Sequence, residues 1–134
     1  MQLRVEPRRA RHALVVLVAL AVAGAHMFTG PQYRGPLRWF VTGYVIDILL
    51  PFSSYFLLVA AEEDCAALRR WWVKVLVVCA VMSTAEIAQY AGRPIFGRTY
   101  DPWDFAAYAG GALLAAWADR VLLPRVFGFW ARGE

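Results

Sequence analysis

Four long apolar runs, at about 13–29, 39–61, 71–91 and 105–123, govern what this chain can become. A helix that crosses a bilayer needs roughly 17–25 mostly apolar residues. The last three runs meet that length and the first meets it at the short limit. Inside lipid each run must be helical, because a lone strand would leave its backbone groups unpaired. The breaks carry helix-ending chemistry: Gly30-Pro31, Gly35-Pro36, Glu62-Glu63-Asp64 and Gly92-Arg93-Pro94. Composition closes off a soluble alternative. Of 134 residues, 60% are hydrophobic and 18% charged, more apolar surface than a small globule can hide. The chain reads as an all-α integral membrane protein: one membrane domain, 1–134, built as a four-transmembrane-helix bundle.

Lys and Arg placement sets the direction of the bundle. With the N-terminus inside, the cytoplasmic segments hold ten of the 14 basic residues, among them Arg8, Arg9, Arg11, Arg69, Arg70, Lys74, Arg120 and Arg125. The outer loops hold Arg34, Arg38, Arg93 and Arg98. This positive-inside bias places both termini in the cytoplasm. It also accounts for the net charge of +4 as a topology signal, so no nucleic-acid partner is expected. The first run has a signal-peptide-like alternative, with a basic start and Ala23-Gly24-Ala25 as a cleavage-like site; an uncleaved anchor helix is the expectation. Residues 124–134 mix Phe127, Phe129 and Trp130 with arginines and read as an interfacial tail.

Charge within an apolar run is costly and demands a reason. Asp47 lies inside the second run, and Pro51 four residues on cannot bond its carbonyl, which makes a polar notch. Glu86, Gln89 and Arg93 fall at i, i+3 and i+7 on one helix face. Asp101-Pro102 is a helix start, with Asp104 in the first turn and Tyr108 one turn later. By topology these groups gather in the outer half of the bilayer. Arg93 and Arg98 are the cations on that side, able to pair with the acids or to grip an anionic head group. Ala107, Gly111 and Ala115 recur at intervals of four and form a small-residue stripe for close helix packing.

Enzyme signatures are absent. There is no H-E-x-x-H, no phosphate-binding glycine loop and no G-x-S-x-G. His12 and His26 sit at opposite ends of one helix and cannot share a haem. No catalytic residue, metal or cofactor is assigned.

The polar residues also resemble a known pattern. Glu86-x-x-Gln89 followed by Arg98-x5-Asp104-x3-Tyr108-x2-Gly111-x3-Ala115 is similar to the C-terminal signature of VanZ-like membrane proteins, E-x-x-Q then R-x5-D-x3-N-x2-G-x3-G. Tyr108 stands for the Asn and Ala115 for the last Gly. Asp47, Phe52 and Tyr55 resemble the family's D-K-x-x-H-F-x-x-Y, with Ile48 for the Lys and Pro51 for the His. The resemblance implies a small multi-helix protein of the bacterial cytoplasmic (inner) membrane, in a family named for low-level glycopeptide-antibiotic resistance. The leading expectation is an outward-facing cluster of Asp47, Glu86, Gln89, Arg93, Arg98, Asp104 and Tyr108 that binds an envelope lipid or an anionic head group. The alternative is an accessory subunit, or homo-oligomer, in a larger membrane complex, with the cluster as glue. A proton-handling transporter module ranks last.

Overall fold

A computed structural model describes residues 6–30, 32–93 and 101–131. Helix α1 spans Pro7–Thr29. It starts about two turns before the apolar run because Pro7 suits a first helical position and the arginines that follow are good helix formers. Helix α2 runs over Arg38–Ala60, and α3 over Trp71–Tyr90. A 3₁₀ turn, Ala66–Arg69, leads into α3. Helix α4 is Trp103–Trp117. It continues through a π-helical turn, Ala118–Leu122, into a short helix, Leu123–Val126. A last 3₁₀ turn is Gly128–Trp130. No strand occurs among the described residues.

Three of these helices, α1, α2 and α3, are long and apolar enough to cross a membrane. The regular part of α4 has 15 residues, short of a span on its own, and its continuation after Trp117 changes to π geometry.

Local chemistry explains the ends. Gly92 takes φ 77° after α3, where a residue with a Cβ would be strained. The Arg93 N–H reaches the Ala88 carbonyl at 2.8 Å and the Gly92 N–H reaches Gln89 at 3.0 Å, the paired bonds of a glycine-terminated helix. At the start of α4, Asp101 Oδ1 accepts the N–H of Trp103, the first helical residue, at 3.0 Å, although the N-cap position falls on Pro102 and not on Asp101 as expected. Pro51 stays inside α2 and is buried. Upstream the helix passes through a π-helical turn, Val41–Val45, and beside the proline the Ser54 hydroxyl bonds the Leu50 carbonyl at 2.8 Å.

Helices α2, α3 and α4 form the core, and α2 against α4 is the most extensive pairing. Gly111 makes that closeness possible. A Cβ there would lie 2.1 Å from the Ile48 carbonyl oxygen and 2.8 Å from the Pro51 ring. Ala115 is fully buried beside it. Ala107, the third member of the expected stripe, is only half-buried and borders a surface cavity. Helix α1 is peripheral, with Val15 as its buried residue. The first turns of α1, the 61–70 segment and the tail meet at one end of the molecule. Arg8 pairs with Glu63 at 2.8 Å, and Arg11 donates to the carbonyls of Phe129 and Trp130 at 3.3 and 2.9 Å.

Candidate functional site: carboxyls at one end of the bundle

The opposite end gathers the acids. Glu86 from α3 is 1% exposed, and Asp104 and Tyr108 from α4 are also buried. The Tyr108 hydroxyl donates to Glu86 Oε1 at 3.0 Å. Asp104 and half-buried Asp47 lie close enough to Glu86 for the three carboxyls to interact electrostatically. Each member arrives on a different stretch of helix, because α2, α3 and α4 all turn one stripe inward. Asp104, Tyr108, Gly111 and Ala115 form that stripe on α4, with Ala85 and Glu86 at the same end of α3.

The donor count is short. Glu86 Oε2 and Gln89 Oε1 are buried and have no hydrogen-bond partner among the described residues. Arg93 stands exposed past the end of α3, and no described Lys or Arg forms an ion pair with Asp47, Glu86 or Asp104. The expected pairing of Arg93 with these acids is therefore not made. Arg98 lies outside the described residues. Groups that only accept hydrogen bonds cohere only when something supplies protons or positive charge between them. No three His, Cys, Asp or Glu among the described residues are arranged to hold a metal ion.

Tyr44 joins the edge of this cluster unannounced by any motif. Its hydroxyl donates to Asp101 Oδ2 at 2.7 Å. The Trp103 backbone N–H and the Tyr44 hydroxyl hold the Asp101 carboxyl below the usual carboxylate range. A carboxyl depressed in the folded state adds stability above its unfolded pKa and loses it as pH falls through the folded value. Thermal unfolding followed from neutral to acid pH should thus lose a component that Asp101→Asn removes at every pH. Parallel profiles for the two proteins would rule out this contribution.

The other end holds a second polar nest, which reading the chain alone missed. Lys74, fully buried in the first turn of α3, bonds Glu62 and lies 3.4 Å from Asp119 Oδ2. The Tyr55 hydroxyl donates to the same Asp119 oxygen at 2.8 Å, and its ring lies 5.0 Å from the Lys74 nitrogen. The Trp130 indole donates to Asp119 Oδ1 at 3.0 Å and to the Asp119 carbonyl at 3.2 Å. Trp130 is 1% exposed, so this part of the tail folds inward. A usable signal was present: Lys74 and Asp119 are charges within apolar runs, by the same criterion that singled out Asp47. Lys74 also fits the positive-inside pattern, and that reading masks the signal.

No family of known proteins matches the chain, and no curated protein or solved structure matches it either.

Proposed function

We propose that this is a VanZ-like protein of the bacterial inner membrane that spans the bilayer four times, with both termini cytoplasmic, and holds the polar head of an envelope lipid at the acid cluster. The basic first turns of α1 and the tail share one end of the molecule with Lys74, which agrees with that end being the cytoplasmic one. The acids then face outward. In support of the family reading, Asp47, Glu86, Asp104 and Tyr108, four positions of the resembling motifs, converge in space.

One observation carries the binding reading: Glu86 is buried, yet Oε2 has no hydrogen-bond partner among the described residues. A head group rich in donors, such as a protonated amine or hydroxyls, satisfies it. The described part of the site is acidic, so it suits the donor end of a zwitterionic lipid better than an anionic head group. The phosphate of such a lipid falls to exposed Arg93.

Protein in phosphatidylethanolamine nanodiscs should melt a few degrees higher than in phosphatidylglycerol. Glu86→Gln keeps the acceptor for Tyr108 but should erase the difference, and Asp104→Asn should reduce it. If Glu86→Gln preserves the full difference, the head group is not held here. A larger protein that co-purifies stoichiometrically in mild detergent would favour the accessory-subunit reading instead.

A further inference from the structure

A cavity of about 620 Å³ lies at the end of the molecule where α1, the 61–70 segment and the tail meet. Three stretches distant in sequence build its wall. The first turns of α1 give Arg8 and Arg11, the connection after α2 gives Glu62, Glu63 and Arg69, and the tail gives Phe129. That volume is in the range of small-molecule sites. The charged groups belong to the wall itself, so a ligand in the cavity meets three guanidinium groups and two carboxylates directly.

Both carboxylates are already engaged. Glu62 accepts from buried Lys74, and Glu63 pairs with Arg8 at 2.8 Å. Arg11 and Arg69 form no ion pair among the described residues. Arg11 is held by neutral groups instead. Its Nε and one Nη donate to the carbonyls of Phe129 and Trp130 at 3.3 and 2.9 Å, and its guanidinium carbon lies 5.7 Å from the Trp130 ring centroid. Two of the five guanidinium N–H bonds are used in this way, which leaves three for a ligand. Arg69 is exposed and ends the 3₁₀ turn before α3. A guanidinium fixed by its neighbours, with a second cation on the same wall, suits phosphate oxygens in charge and in geometry. Two cations without a carboxylate match the charge of about −1.5 to −2 that a phosphate monoester carries at pH 7. A diester, with one charge, leaves one of the two arginines uncompensated.

We propose that this cavity binds a phosphate monoester, with Arg11 and Arg69 as its anchors. The group arrives as the head of a membrane lipid or on a soluble compound, and the same dianion is recognised in either case. The site lies at the opposite end from the acid cluster, and its argument is independent of the head-group reading there.

The full chain in maltoside micelles is titrated with four probes, and binding is read by native mass spectrometry. Dioctanoyl phosphatidic acid should bind about tenfold more tightly than dioctanoyl phosphatidylglycerol, and dioctanoylglycerol more weakly still. Glycerol 3-phosphate separates the sources: affinity close to that of phosphatidic acid identifies a soluble ligand, and a large loss identifies a lipid. Arg69→Gln removes an exposed side chain with no described partner and should weaken phosphatidic acid about tenfold. Glu63→Gln removes one carboxylate and frees Arg8, so it should strengthen binding several-fold, the opposite of what damage to the fold produces. Arg9→Gln, the same charge change at a residue outside the wall, should leave binding intact. Equal affinity for phosphatidic acid and phosphatidylglycerol overturns the proposal. So does an Arg9→Gln loss as large as that of Arg69→Gln, which reduces the effect to surface charge. Neither outcome bears on the phosphatidylethanolamine effect or on its loss in Glu86→Gln, so the two sites stand or fall separately.

Discussion

Lys74→Met is expected to be the most damaging single substitution in the chain. Lys74 is fully buried between the carboxyls of Glu62 and Asp119, which are themselves buried. Methionine fills a similar volume but removes the cation that holds two acids together. Breaking a buried ion pair from one side costs about 3–5 kcal/mol, because the remaining charge stays desolvated. Asp119→Asn should cost less, since Lys74 keeps Glu62 and the amide still offers an oxygen to Tyr55 or Trp130. The triple change Lys74→Met, Glu62→Gln, Asp119→Asn should recover much of the loss. Unfolding in mixed micelles, followed by tryptophan fluorescence, measures all three. A triple variant no more stable than Lys74→Met would show that the nest is not held together by charge.

Gly111→Val should separate α2 from α4. The obstacle at 2.1 Å is the Ile48 backbone oxygen, and a main-chain atom in a helix cannot rotate aside as a side chain can. Overpacking of this kind costs about 1–3 kcal/mol and sometimes more. The shift also displaces Tyr108, one turn away on the same stripe, so lipid-dependent stabilisation should fall with thermal stability. Gly110→Ala is the control. Nothing lies within 4 Å of a Cβ at Gly110, so alanine should be neutral or stabilise by about 0.5–1 kcal/mol through helix propensity. Equal melting temperatures for the two variants would contradict the close approach at Gly111.

Together the two substitutions divide the molecule by function. The Lys74 nest joins the α2–α3 connection, α4 and the tail at one end. The Gly111 contact sets the spacing on which the acid cluster depends at the other. Asp104 and Asp119 sit fifteen residues apart on the same helical run, or roughly 22 Å of rise. Apolar residues including Val78, Met82, Ala112 and Ala115 pack between the two polar ends. The ends can therefore be altered separately.

The apolar runs by themselves determined that this chain is helical, and where most of its helices lie, because lipid leaves a long apolar segment no other way to pair its backbone. Asp47 and Glu86 were legible for a related reason: a charge deep in such a run stands out at once. Asp104 and Tyr108 were legible from the helix start at Asp101-Pro102, which puts them in the first two turns. Gly111 was legible as one of a small-residue stripe, though its contact with Ile48 was not. Only the tertiary structure decided which of these residues meet. That depends on how far each helix is rotated about its axis, and composition and spacing do not encode rotation. Lys74 and Asp119 were hidden for another reason. A charge near the end of an apolar run has an inexpensive reading, in which the side chain reaches the water. Burial of Trp130 and the meeting of Glu62, Lys74 and Asp119 remove that option here. The physical cause is a packing contact between segments far apart in the chain, and such contacts come into being only when the helices assemble.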